Sequence, residues 1–219
     1  APSGRAEVAV VAGDTAEAVK QLKLATDAEP LNPNYLTVAG RLELNAGNFE
    51  AGVAHLNEAL AIDPSFGDAL DLLADAQWQA GNQDAAVALF RQWLAFEPDN
   101  SQARGQLGIV LQGQQKYEEA LVELQLAYDA GERDMIAVAR ATTLFSLHRY
   151  ADAAAAFEAL AAADPAKAQY AIVLAKAQEL LGERQAAIAT YDRYLAAAPA
   201  DDPQRAGIEE KRATLASTP

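Results

Sequence analysis

Residues 47–64 read GNFEAGVAHLNEALAIDP and residues 81–98 read GNQDAAVALFRQWLAFEP. Each stretch opens on Gly-Asn and closes on Pro. Between them stands a small residue, Gly52 or Ala86, followed four positions later by a large apolar one, Leu56 or Phe90. Four residues make about one helical turn, so the pair lies on one face, and small opposite large is the pattern by which one helix packs closely on another. Pro breaks a helix and Gly ends one readily in the left-handed conformation, so each stretch reads as one helix between two turns. The two copies are offset by 34 residues.

The same beat runs outward in both directions. Pro30, Pro64, Pro98, Pro165 and Pro199 are separated by 34, 34, 67 and 34 residues, the 67 being one step of 34 and one of 33. Gly13, Gly47, Gly81 and Gly182 each lie seventeen residues before one of those prolines. The small residue recurs at Ala18, Gly52, Ala86, Ala120, Ala153 and Ala187, and the large one at Leu22, Leu56, Phe90, Leu124, Phe157 and Tyr191. A period near 34 with helix-turn-helix punctuation is the mark of a repeat array, in which one unit cannot bury its apolar face alone and its neighbours complete the core.

With these features the chain resembles the tetratricopeptide repeat family over roughly residues 1–201. Ala86 with Phe90, Ala153 with Phe157 and Ala187 with Tyr191 match the family's second helix, and the prolines match its closing residue. Leu36, Gly40, Leu73, Ala74, Leu107, Gly108, Leu174 and Ala175 look like the close-packing positions of its first helix. The family's early Trp is missing from every copy, Trp78 and Trp93 fall at other phases, and Glu132 and Gln115 stand where Pro and Gly are expected. The resemblance implies an all-α fold, a right-handed solenoid of antiparallel helix-turn-helix repeats. Five units are expected at 33–66, 67–100, 101–133, 134–167 and 168–201, after a partial repeat at 1–32.

Gly13-Asp14, Gly47-Asn48 and Gly81-Asn82 each suit a helix-ending Gly followed by an N-cap for the next helix. Asp202-Pro203 reads as an N-cap with Pro at the first helical position, opening a capping helix to about Leu215 within 202–219. Its Ile208 and Leu215 would cover the last repeat. The opening segment offers Val8, Val10 and Val11 after Pro2 and Gly4, too little for a full covering helix, which raises the expectation of an upstream part or a partner there.

Thirty-one acidic against 17 basic residues leave a net charge of -14. That charge repels a phosphate backbone and an anionic lipid surface, so nucleic acid is not an expected partner. No charge-free run exceeds eleven residues, well short of the roughly 20 needed to span a membrane, so no membrane insertion is expected. The absence of Cys excludes a disulfide framework and thiolate chemistry, and it leaves cytoplasm and periplasm equally open.

No motif for chemistry stands out. Gly108 to Gly113 has the glycine spacing of a phosphate loop, but Gln114 and Gln115 replace the Lys and the hydroxyl residue that hold phosphate and metal. His55 and His148 lie nearly three repeats apart, too far to share a metal. No catalytic residue, metal ligand or cofactor is predicted, and the chain is read as a non-catalytic scaffold.

The strongest local signal is acidic. Asp68, Asp71, Asp75 and Trp78, spaced 3, 4 and 3, fall on one face of a single helix, in a unit carrying one Arg against six acids. Asp68 fits the positive end of its helix, whereas Asp75 lies two turns in, where the dipole no longer helps.

The resemblance implies that first helices line a concave groove for a peptide or partner protein. Carried over, the groove would show Thr37, Arg41 and Leu44, then Asp68, Asp71, Asp75 and Trp78, then Ile109 and Gln112, then Val138, Thr142 and Phe145, and finally Ile172, Lys176 and Glu179. Family members that grip acidic chaperone tails present Lys, Arg and Asn there. Asp in those places predicts instead a basic, partly apolar segment of another protein. Leu44, Trp78 and Phe145 share one phase of the repeat, and they either form a row along the groove or pack between units. The competing expectation is a regulatory or assembly domain of a larger enzyme or of a secretion or envelope machine, its upstream part absent.

Overall fold

The computed structural model describes residues 5, 9, 13–131, 135–164 and 167–217. Pro2, Gly4, Val8, Val10, Val11, Glu132 and Pro165, used in the sequence argument, lie outside the described residues. The fold is all-α: among the described residues there are twelve long helices and no strand. They are α1 Thr15–Ala28, α2 Pro33–Asn45, α3 Phe49–Ile62, α4 Gly67–Gln79, α5 Gln83–Phe96 and α6 Ser101–Gly113. After them come α7 Tyr117–Asp129, α8 Met135–Ser146, α9 Tyr150–Ala163, α10 Gln169–Leu180, α11 Arg184–Ala197 and α12 Arg205–Ser217. Residues 1–110 and 111–219 form two compact units, the boundary falling inside α6.

In the first unit α1 packs on α2, α2 on α3, α3 on α4 and α4 on α5, while the first helices α2 and α4 also touch. The small-and-large register accounts for the core: Ala18, Gly52 and Ala86 are buried, as are Leu22, Leu56 and Phe90. Leu36, Leu56, Ala59, Ala69 and Leu73 form one cluster, with Leu44, Val53 and Phe66 against it.

Two glycines set how closely α2 and α3 approach. A Cβ at Gly40 would lie 2.7 Å from Leu56 Cγ and 3.0 Å from Gly52 O, and one at Gly52 would lie 2.6 Å from Leu44 Cγ and 3.0 Å from Gly40 O. The backbones meet where neither residue carries a side chain.

In the second unit each helix from α7 to α12 packs on the next. Ala120, Ala153 and Ala187 are fully buried, with Leu124, Phe157 and Tyr191 beside them at the same register. Phe157 clusters with Ala141, Tyr170 and Leu174. Tyr191 and Tyr194 cluster with Ala171, Ala175 and Ile208 of α12, and Leu215 adds its partly buried side chain. Arg212 pairs with Asp192 at 2.9 Å, and Arg184 Nε donates to Leu215 O, so α12 is fixed on α11 by polar contacts as well as by Ile208.

Turn chemistry agrees with the punctuation, with two differences. Gly13, Gly47, Gly81 and Gly182 have φ of 74, 83, 83 and 76°, and Gln115 and His148, at the Gly phase, take up the same left-handed conformation at 61 and 59°. Asp14 caps α1 by accepting from Glu17 N. Asn48 and Asn82 hold the N-cap position but cap nothing with their side chains. Each Nδ2 reaches back to the preceding helix instead, to Glu43 Oε2 at 2.7 Å and to Gln77 Oε1 at 2.8 Å. Asp202 Oδ1 accepts from Gln204 N within a turn, and α12 begins only at Arg205, later than the Asp-Pro signal predicts. A local Asx-type turn competes with the cap at that position.

Candidate partner-binding surface

Asp68, Asp71, Asp75 and Trp78 all belong to α4, whose 3.6-residue period puts them on one side of it. Asp68 is exposed in the first turn, and Asp71, Asp75 and Trp78 are partly buried. Asp71 Oδ2 accepts a 3.0 Å hydrogen bond from Gln102 Nε2 of α6, while its Oδ1 is buried with no partner. Burial, followed by the charge of Asp75, pushes the Asp71 carboxyl up to about 6; the Gln102 bond works against this, and Asp68 adds a smaller push. Burial likewise raises Asp75. Among the described residues no three His, Cys, Asp or Glu side chains are placed to hold a metal ion, Asp68, Asp71 and Asp75 included.

The other groove candidates of the first unit are spread over different roles. Thr37 is buried, with its hydroxyl donating to Pro33 O at 3.0 Å. Arg41 is exposed on α2 and Ile109 partly buried on α6. Leu44 leans into the Leu36 and Leu56 cluster and over Gly52, so most of its surface serves the hairpin.

In the second unit Gln112 Nε2 reaches Thr142 Oγ1 and Thr143 Oγ1, both at 2.8 Å, and Ala139 O at 2.9 Å, tying the end of α6 to α8. The Thr142 hydroxyl donates back to its own helix, at Val138 O and Ala139 O. Val138 packs on the Phe157 cluster. Phe145 is partly exposed, edge-on to Tyr150 at 5.4 Å and with Lys176 Nζ 5.5 Å from its ring centre. Ile172 packs beside Tyr191, and Glu179 is taken up by the Tyr191 hydroxyl and by Lys211 at 3.6 Å. Of the histidines, His55 is partly buried with Nδ1 unbonded, and His148 stacks on Tyr150.

A concavity that no motif in the sequence announces lies wholly within this unit. A cleft of about 1480 Å³ opens between the second helices α7 and α9, with α8 beneath it. Its walls include Val122 and Leu126 of α7 and Ala155, Ala156, Ala159 and Ala163 of α9, and Arg140 and Leu144 of α8 line it as well. The signal for it was in the register. Leu73, Leu107 and Leu174 recur at one phase, and the residue at that phase in the intervening repeat is Arg140.

The model of the tetratricopeptide repeat matches residues 4–66, 37–101, 72–134 and 138–202. No curated protein sequence matches the chain. Among solved structures, the chain is similar to a tetratricopeptide repeat protein from Parabacteroides merdae, with TM-score 0.73 and 19% identity, covering 98% of this chain and 88% of that one. It is also similar to YrrB, described as a TPR protein with an unusual peptide-binding site, at TM-score 0.76 and 19% identity over 87% of this chain and 97% of that one. For pilF of Pseudomonas aeruginosa the TM-score is 0.64 and the identity 25%, over 85% and 88% of the two chains.

Proposed function

The chain belongs to the tetratricopeptide repeat family, whose repeats serve as scaffolds for protein–protein interaction, and on that premise we propose that it holds a basic, partly apolar segment of another protein against its first helices. Asp71 and Asp75 supply the charge, and Trp78 the contact area. The observation that carries the reading is the buried, donor-free Asp71 Oδ1 one turn from Asp75 and two turns from the partly exposed Trp78. A Lys or Arg of the partner would offset the charge of the partly buried Asp71 and Asp75, and its aliphatic stem would lie along the indole. Leu44 and Thr37 serve mainly the packing of α2. The peptide site named for YrrB is a precedent for this use of the fold.

The partner is identified by pull-down from native lysate with mass spectrometry, and its binding segment is then titrated against variants. Trp78→Ala should cost about 2 kcal/mol of binding, the scale of a buried aromatic anchor. Asp71→Lys with Asp75→Lys should both slow association and speed dissociation, and added salt should weaken wild-type binding, because partly buried charges steer encounter and also hold the bound cation. Glu58→Lys, exposed on the second helix α3, should change little. Binding that ignores Trp78 and both aspartates but responds to Glu58 would end the proposal.

A further inference from the structure

The cleft between α7 and α9 differs from the acidic face of α4 in charge, in lining and in the helices that build it. Its key residue stands in a place meant for a hydrocarbon. Leu73, Leu107 and Leu174, at the same phase of their repeats, are all buried core residues. Arg140 at that phase stays partly exposed. Its guanidinium carbon lies 4.5 Å from the centre of the Tyr128 ring, its Nε is buried without an acceptor, and no carboxylate among the described residues pairs with it.

The other charges of the cleft are largely matched. Arg149 pairs with Asp152 at 2.6 Å and Lys167 with Asp164 at 3.4 Å, leaving Glu118, exposed on α7, and Arg140. Glu118 faces water in the first turn of α7, whereas Arg140 is partly buried with its Nε lacking an acceptor, so the group in this cleft that a carboxylate would satisfy is Arg140. Around Arg140 the walls are apolar. Val122 and Leu126 are exposed on one side, and Ala155, Ala159 and Ala163, spaced by four, present a face of small side chains on the other. Such a face lets a further helix approach to about 8–10 Å between axes.

Size and backbone chemistry select the occupant. A volume of about 1480 Å³ exceeds the roughly 300–1,000 Å³ of small-molecule pockets. An extended segment would bring unpaired amide groups against alanine walls that offer no strand edge, whereas a helix satisfies its own. A helix of about three turns, some 16 Å, would fit beside the 13 residues of α7 and the 14 of α9. The chain's net charge of -14 disfavours a strongly acidic partner, so acid is wanted only opposite Arg140.

We propose that the α7–α9 cleft docks an amphipathic helix of a partner protein, its apolar face against Val122, Leu126 and the alanines of α9, with one central Glu or Asp bonded to Arg140. The docking mode is a helix laid in a groove with a single charged anchor.

The test uses the full chain and three synthetic amphipathic peptides that share a Leu/Ala stripe and differ only in a central Glu, Gln or Lys on the edge of that stripe. Fluorescence titration should show the Glu peptide binding at least tenfold tighter than the Lys peptide, with Gln between them. Arg140→Leu, which restores the residue of the neighbouring repeats and should fold at least as well, is expected to abolish that preference. Ala159→Trp, which fills the cleft, should weaken all three peptides. Equal binding of the Glu and Lys peptides would overturn the proposal, as would a preference that survives Arg140→Leu or no binding at 1 mM peptide. Concentration-dependent dimers of the free chain that Ala159→Trp abolishes would instead assign the cleft to a second copy.

Discussion

Asp71 shows how one residue links stability to binding. Its carboxyl is raised to about 6 from an ordinary 3.8, so the folded state holds that proton more tightly than the unfolded chain does. The sign follows: this group favours folding most at low pH, the advantage is lost as pH climbs from about 4 to about 6, and above that the buried charge is a constant cost. Asp71→Asn keeps an oxygen for Gln102 and removes the charge. Its gain in melting temperature over wild type should therefore be larger at pH 7 than at pH 4, and equal gains at the two pH values would show that the side chain is effectively solvated. A basic ligand should also drive the proton off, so wild-type affinity rises between pH 5 and 7, and that of Asp71→Asn, which keeps only the raised Asp75, rises less. Nothing in the Asp68, Asp71 and Asp75 spacing reveals how far Asp71 is buried, the main cause of its raised value, or the opposing bond from Gln102 of the next repeat, so the sequence shows the cluster but not its protonation.

At the scale of the helical element, close approach is the governing quantity. Gly40 and Gly52 let α2 and α3 meet, and a methyl at either position falls within 3 Å of a leucine side-chain carbon. Gly52→Ala should destabilise the protein by about 1–3 kcal/mol, since the overlap has to be relieved by shifting Leu44 or the backbone, even though Ala is the better helix former. Denaturant unfolding checks it, and a stabilised Gly52→Ala would show that the pair has slack. The small-and-large register from Ala18 with Leu22 to Ala187 with Tyr191 was legible because period, helix face and volume agree in every copy. The side chains of Asn48 and Asn82 were not, because a cap and a bond back to the previous helix use the same residue type. The late start of α12 is a similar local competition at Asp202. Arg140 was legible in principle, as a charge at a leucine phase. Seeing the cleft around it requires knowing that Ala155, Ala159 and Ala163 face α7, which no spacing in one helix discloses.

For the whole molecule, the two units put their distinctive features in different places. The first carries the acidic α4, within a repeat at 67–100 that holds six acids and one Arg. The second carries the α7–α9 cleft and Arg140, whose buried Nε has no acceptor among the described residues. Were both proposed surfaces used, the scaffold would hold two different segments, and pH should separate them, since burial pushes the Asp71 carboxyl of the first surface up to about 6. Amide hydrogen exchange of the chain with and without its captured partner segment tests the central claim most directly. The account predicts added protection in α4, Gly67–Gln79, concentrated from Asp71 to Trp78, with α3 and α5 little changed. Protection confined to the second helices, with α4 unaltered, would contradict it.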